Sequence, residues 1–272
     1  MMWNFKGKIA FITGGASGIG LQVAHDMAVS NAAVAIMDRN ATELARAYEQ
    51  IRAAAPGACM LVVEGDVRDR NTMWAAAARA QEKLGDVDFV INSAGILDDF
   101  LMSKFDERKW DDTIDTNLKG TSLCMSAFAE SWVKTAKEQA AKRGVKYLPV
   151  LEHKPRVIVN LSSMAADGNI GQLAYAASKC GIVGMTLTAA KELVRYNVRV
   201  HCVKPTLIDT PMIHDLLTKD SGKFKKFYEE RIPFGIGRPA NVADVICFLC
   251  SEGGWFMNGC VIPVNGGKID GL

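Results

Sequence analysis

No stretch of this 272-residue chain stays apolar for the ~20 residues that a membrane-spanning helix needs, so no membrane partner is expected. Charge of one sign is also missing: 32 Lys and Arg stand against 30 Asp and Glu, a net +2. So even a balance points to neither nucleic acid nor an anionic membrane surface. The start, Met1-Met2-Trp3-Asn4-Phe5-Lys6-Gly7-Lys8, holds no apolar signal-peptide core, and a cytoplasmic location is expected. Histidine is scarce, and His25, His153, His201 and His214 show no metal-ligand spacing, so no metal is expected in catalysis. Seven cysteines, an odd number, do not make a complete disulfide framework. Cys247 and Cys250 form a C-x-x-C without a second pair and within an apolar helical run. They read as buried free thiols, and Cys59, Cys124, Cys180 and Cys202 also lie within apolar stretches. No repeat, low-complexity tract or linker divides the chain, and 1–272 reads as one domain.

What the chain does have is a regular alternation of apolar runs and helical patterns. Strands are expected at 8–12, 33–37, 60–64, 88–91, 156–161, 198–203 and 260–264, and helices near 18–30, 40–54, 71–84, 107–137, 174–195 and 240–251. This alternation implies an α/β fold of Rossmann type: a doubly wound, mostly parallel seven-stranded sheet in a three-layer α/β/α arrangement. With 49% hydrophobic and 23% charged residues, the chain is neither disordered nor membranous.

The first apolar run, Lys8-Ile9-Ala10-Phe11-Ile12, is followed by Thr13-Gly14-Gly15-Ala16-Ser17-Gly18-Ile19-Gly20 and then a helical pattern. Strand, glycine turn and helix together aim backbone N–H groups and a helix N-terminus at a phosphate. Glycine is needed where a side chain would block the approach of the pyrophosphate. Gly14, Ser17, Gly18, Ile19 and Gly20 are therefore candidate cofactor residues. A second apolar run ends in Asp38, eighteen residues after Gly20. An acidic residue there accepts hydrogen bonds from the adenosine ribose and repels a 2′-phosphate, which favours NAD(H). Arg39 beside it could instead pair with a 2′-phosphate, so NADP(H) stays possible.

Tyr175 and Lys179, in Tyr-Ala-Ala-Ser-Lys, lie one helical turn apart on one face. A free tyrosine titrates near ~10, and lowering it by about three pH units takes roughly 4 kcal/mol of preference for the phenolate. One cation about 4 Å away supplies that much at an effective dielectric near 20, but only about 1 kcal/mol in bulk water. The pair makes an acid/base catalyst in a partly dry cleft, where Lys179 is expected to lower the Tyr175 pKa.

With these motifs in place the chain resembles a short-chain dehydrogenase/reductase of the common branch of about 250 residues, over nearly its whole length. Thr13-Gly14-x-x-x-Gly18-x-Gly20 resembles that family's cofactor loop, and Asp66-Val67 its adenine-contacting pair. Asn92-Ser93-Ala94-Gly95 resembles the family's Asn-Asn-Ala-Gly, which adds Asn92, Ala94 and Gly95 to the cofactor set. Asn117 falls where the family has its helix asparagine, and Ser163, Tyr175 and Lys179 complete a catalytic tetrad. The usual spacing from serine to tyrosine selects Ser162. The strand pattern Val157-Ile158-Val159-Asn160-Leu161 selects Ser163, with one residue missing from the following loop, and a strand fixes register more firmly than loop length. Lys204-Pro205-Thr206 stands where the family has Pro-Gly, so Thr206 is expected to change a torsion or narrow the pocket. Pro205, Ile208 and Thr210 still match positions that hold the nicotinamide end.

The resemblance implies hydride transfer between the nicotinamide and a secondary alcohol or ketone, with Tyr175 moving the proton, Ser163 holding the substrate oxygen, and Lys179 tuning Tyr175 and holding the ribose. Asn117 would hold a water that links Lys179 to solvent. The segment 211–237 would cover the substrate and set specificity. It offers Met212, Ile213, Leu216, Leu217, Phe224, Phe227 and Tyr228 beside Lys219, Lys223, Lys225 and Lys226, and Leu97, Phe100, Leu101 and Met102 add apolar surface after Gly95. Three functions follow. The first is an NAD-linked oxidoreductase of an apolar hydroxy/keto substrate, similar to 17β-hydroxysteroid dehydrogenases and 3-hydroxyacyl dehydrogenases. The second is an NADPH-linked 3-oxoacyl-carrier-protein reductase, and the third a cofactor-bound scaffold without turnover. The resemblance also implies a homotetramer. The basic segment 134–156 reads as a solvated helix end and loop, with docking of an acidic carrier protein as the alternative.

Overall fold

Nearly continuous apolar runs make the strands, because a strand covered by helices on both faces has no solvent side to keep polar. The computed structural model describes residues 3–218 and 223–268. Among these, seven strands form one sheet: β1 (Ile9–Thr13), β2 (Ala33–Asp38), β3 (Met60–Glu64), β4 (Phe89–Asn92), β5 (Arg156–Leu161), β6 (Val198–Pro205) and β7 (Val261–Val264). Their order is β3-β2-β1-β4-β5-β6-β7, and every neighbouring pair is parallel. The helices are α1 (Gly18–Val29), α2 (Ala41–Ala54), α3 (Arg70–Leu84), α4 (Glu107–Thr113), α5 (Gly120–Lys142), α6 (Leu173–Leu193), α7 (Pro211–Thr218), α8 (Lys223–Glu229) and α9 (Pro239–Cys250).

The period of two along each strand divides the core into two layers. Ala10 and Ile12 of β1 pack with Val23 and Met27 of α1, Leu44 of α2 and Ile246 of α9. Phe11 packs on the other face, with Met73 of α3 and Phe128 and Trp132 of α5. Helix starts follow local chemistry: the side chains of Asn40, Asp69 and Asp106 accept hydrogen bonds from the N–H groups of Glu43, Thr72 and Lys109. Strand order reverses between β1 and β4, so the loops at their carboxyl ends diverge and open a crevice.

The helix expected over 107–137 is interrupted. α4 stops at Thr113, a π-helical turn covers Ile114–Lys119, and α5 continues to Lys142. One extra residue in a helix is invisible to apolar periodicity; here the Thr121 hydroxyl takes up the Asn117 carbonyl at 2.7 Å, and Gly120 packs so closely on Val67 that a Cβ would lie 2.7 Å from its Cγ2. The basic segment 134–156 spends part of its charge internally. Buried Arg156 donates to Asp86 at 2.7 Å and lies over the Trp132 ring, Lys154 pairs with Asp88, and Arg143 pairs with Glu152. Cys124, Cys202, Cys247 and Cys250 are buried as free thiols, whereas Cys59, before β3, and Cys180, on the outer face of α6, are exposed. Among the described residues no helix is long and apolar enough to cross a membrane.

Candidate active site

A cleft of about 630 Å³ runs along the carboxyl ends of the strands, from Asp38 and Asp66 past the glycine loop to Ser163, Tyr175 and the segment beyond Thr210. Its shape comes from backbone proximity. Gly14 has φ of 63°, and a Cβ on it would lie 2.7 Å from the Ala94 nitrogen. A Cβ on Gly20 would lie 2.2 Å from the Gly14 carbonyl oxygen, so only glycine fits there. Helix α1 begins with Ser17 at its N-cap making no side-chain hydrogen bond to it, which leaves first-turn N–H groups facing the cleft for an anion. This donor set fits the pyrophosphate of a dinucleotide. At the β2 end of the cleft, one Asp38 oxygen accepts from the Asn40 N–H at 3.1 Å, the other has no hydrogen bond among the described residues, and exposed Arg39 stands beside it. Asp66 is gripped by Arg68, whose Nε and Nη2 donate to Oδ2 at 2.9 and 2.7 Å. That guanidinium holds the Asp66 carboxyl below its usual pKa, and it also donates to Asp112 at 2.9 Å. Arg68 lies outside the cleft wall and links Asp66 to Asp112 of α4, 44 positions away, a connection that spacing in the sequence does not report.

At the other end β5 delivers Ser162 and Ser163 side by side, facing different partners. Buried Ser162 donates to the Lys179 carbonyl at 2.7 Å. Ser163 accepts from the Ala165 N–H at 3.1 Å and is hydrogen-bonded to the Tyr175 phenol. Tyr175 sits in the first turn of α6 and Lys179 one turn later, its Nζ 5.4 Å from the Tyr175 ring centroid and donating to the Leu161 carbonyl at 2.8 Å. Burial dominates both groups. The Tyr175 pKa is pushed up to about 12 by desolvation and, less, by the Asp99 charge, against the pull of the Ser163 hydrogen bond. The Lys179 pKa is pushed down to about 8 by its own desolvation. In the protein alone the Tyr175 pKa therefore stands above its ordinary value, with burial outweighing any lowering by Lys179, whose ammonium donates to the Leu161 carbonyl.

The short chain dehydrogenase family model matches residues 8–221. The chain belongs to the short-chain dehydrogenase/reductase family. It is 35% identical over 268 residues to the 3-oxoacyl-[acyl-carrier-protein] reductase FabG of Thermotoga maritima, covering 98% of this chain and 99% of that one. It is 34% identical over 266 residues to the (2S)-[(R)-hydroxy(phenyl)methyl]succinyl-CoA dehydrogenase subunit BbsD of Thauera aromatica, covering 97% and 98%. The crystal structure of levodione reductase superposes with a TM-score of 0.84 at 29% identity, over 97% of this chain and 98% of that one. The protein is thus an oxidoreductase acting on CH–OH groups, a class that binds a nicotinamide cofactor.

In this short-chain dehydrogenase/reductase the cleft wall collects every candidate catalytic and cofactor residue except Gly20, Asn92 and Asn117; of the apolar residues expected after Gly95, Leu97 lines it and Phe100, Leu101 and Met102 do not. Asn92 points into the core, where its Nδ2 donates to Asn160 at 2.8 Å; strand alternation puts it on the face of Val90, away from the cleft. Asn117, turned inward by the π-helical turn, has its amide fully occupied. Its Oδ1 accepts from the Ile96 N–H at 2.8 Å, while Nδ2 donates to the Ile96 carbonyl and the Ser178 hydroxyl. Its side chain pins the 95–96 loop beside Lys179. Thr206 has no positive φ, and its N–H donates to the Val264 carbonyl at 3.1 Å, so the missing glycine leaves no strained torsion and the side chain simply narrows the cleft. From 211–237, Met212, Ile213, Phe227 and Tyr228 line the wall; Lys219 and the side chains of Leu216 and Phe224 lie outside what is described. Asp99 was overlooked. It lines the wall, accepts from the Gln172 amide at 3.2 Å, and is held above the usual carboxyl pKa by burial.

Proposed function

We propose that this enzyme is an NAD(H)-linked oxidoreductase interconverting 3-hydroxyacyl and 3-oxoacyl compounds, with the segment 211–237 as the cover of the substrate arm. The carrying observation is Asp38, a carboxylate in the cleft wall at the end of β2 with one oxygen unpaired among the described residues. Such a group takes a hydrogen bond from a ribose hydroxyl and repels a phosphate in its place. The acyl character is supported by the relatives, whose names describe a 3-oxoacyl group on a carrier protein and a hydroxylated succinyl-CoA. It is also supported by the mouth of the cleft, where Ile170 is 91% and Met212 and Phe227 are each 48% exposed, apolar surface that an acyl chain would cover.

When bound, the cofactor supplies or accepts a hydride. The chain itself does the rest. Gly14, Gly18, Ile19 and Ser17 hold the pyrophosphate, and Asp66 and Val67 border the adenine end. The Ser163 hydroxyl fixes the substrate oxygen. The Tyr175 phenol, protonated throughout the neutral range, donates its proton to that oxygen in reduction and recovers it in oxidation. Lys179 adds a charge against which a phenolate forms once the cleft is filled. Titration with NADH and NADPH at fixed salt tests the reading. At least tenfold tighter NADH, about 1.4 kcal/mol, is expected. Tighter NADPH would transfer the selection to Arg39, which shares the rim with Asp38 and has no ion pair among the described residues, and would make an NADPH-linked 3-oxoacyl reductase the better reading.

A further inference from the structure

The substrate arm of the cleft contains one carboxylate that neither the hydride transfer nor the cofactor set uses. Asp99 follows β4 and is tied to the start of α6 twice: the Phe100 N–H donates to the Gly171 carbonyl at 2.8 Å, and the Gln172 Nε2 donates to Asp99 Oδ2 at 3.2 Å. Gln172 is itself oriented, because Asn169 Nδ2 donates to its Oε1 at 2.8 Å, which leaves its NH2 group facing Asp99. The carboxylate is therefore placed by backbone and side chain together, on the wall that also carries Ser163 and Tyr175.

Its carboxylate makes no ion pair among the described residues. The nearby ammonium, Lys109, donates to Asp98 Oδ1 at 2.6 Å and reaches only the main-chain carbonyl of Asp99 at 3.4 Å. Asp98 and Lys109 neutralise each other, and Asp99 Oδ1 has no hydrogen-bond partner among the described residues. The charge is felt at the reacting centre: it raises the Tyr175 pKa, whereas Lys179 is turned to the Leu161 carbonyl. Among the charged residues of the wall, Asp38, Arg39 and Asp66 stand at the adenosine end, and Lys268 follows the last strand near the turn at Pro233.

We propose that Asp99 is a specificity-determining residue: it disfavours a negative charge beside the reacting carbon, so the cleft takes 3-oxoacyl groups as esters or thioesters and rejects the free 3-oxo acids. A free 3-oxo acid carries its carboxylate two bonds from the ketone carbon, and that charge meets an Asp99 carboxylate that is exposed on the wall and has no ion pair among the described residues. Two like charges about 4 Å apart repel by about 1 kcal/mol even at the dielectric of water, and by more once the substrate covers the wall. Esterification removes the charge and leaves acceptor oxygens that the Gln172 amide can meet.

The inference rests on the 3-oxoacyl reading above and is tested by steady-state reduction of ethyl 3-oxobutanoate and of free 3-oxobutanoate, with the preferred cofactor saturating. The wild-type enzyme is expected to favour the ester in kcat/KM by tenfold or more, about 1.4 kcal/mol. Asp99→Asn keeps an acceptor for Gln172 and should bring that ratio to within about threefold of unity, chiefly by improving the free acid. Asp98→Asn, which frees Lys109 to pair with Asp99, should also lower the ester preference below the wild-type value. A ratio unchanged in Asp99→Asn overturns the proposal, as does a wild-type enzyme that takes the free acid as well as the ester, which is what a carboxylate received by Lys268 would produce. Turnover of neither compound by a wild-type protein that binds its cofactor overturns the 3-oxoacyl reading and the role of Asp99 with it, an outcome distinct from turnover of both at an unaltered ratio.

Discussion

Replacing Lys179 by methionine should make the cofactor-free protein more stable while removing its activity. The Lys179 pKa falls from an ordinary 10.5 to about 8 because its ammonium is buried. At pH 7 the folded chain carries that charge at a disadvantage of about 3 kcal/mol relative to the unfolded chain. Methionine has similar length and no charge to desolvate, and it gives up the hydrogen bond to the Leu161 carbonyl, worth about 1–1.5 kcal/mol. The net gain is about 1–2 kcal/mol, or roughly 3–6 °C in melting temperature for a chain of this size. The pH dependence carries the mechanism. Between about 8 and 10.5 the unfolded chain binds a proton that the folded chain has released, so wild-type stability rises with pH across that window. Lys179→Met lacks the group, and its advantage should shrink between pH 7 and pH 10. Urea unfolding of both proteins without cofactor, at the two pH values, measures the gap directly. A variant less stable than wild type at pH 7, or a gap equal at both pH values, refutes a desolvated charge at Lys179.

Three further substitutions separate chemistry from packing. Tyr175→Phe should lower turnover by at least ~10²-fold with cofactor affinity unchanged, since it removes only the proton donor; an unchanged rate takes the phenol out of the reaction. Ser163→Ala should reduce turnover with little change in melting temperature. Ser162→Ala should do the reverse, losing about 1 kcal/mol of stability with the buried bond to the Lys179 carbonyl while keeping most activity; the opposite pattern would exchange the roles of the two serines.

Whether a residue's place was legible in the sequence depended on whether its partners were close in the chain. Gly14, Gly18 and Gly20 act within one turn, and Tyr175 and Lys179 within one helical turn, so spacing alone reports their arrangement. The parallel sheet was legible for a similar reason, since apolar runs and helical patterns alternate from β1 to β7. Asn92, Asn117 and Asp99 depend on partners 68, 21 and 73 positions away. For Asn92 the strand period held the answer: it shares a face with Val90, which packs against the α3–α5 layer, so it belonged to the core and not to the cleft. For Asn117 no periodic signal exists, because a single π turn reorients everything after Thr113 without altering the apolar count. Electrostatics was least accessible. The four-residue spacing of Tyr175 and Lys179 says that two groups are near; it does not say how dry they are, nor that a carbonyl at 2.8 Å has already claimed the ammonium. In a dry pocket proximity lowers a phenol's pKa only if the attraction between the two charges exceeds the cost of desolvating both, and here the desolvation is larger. In the reaction proposed above, such a bias keeps the Tyr175 phenol protonated in the empty cleft and leaves its ionisation to the charges that a bound cofactor and substrate bring.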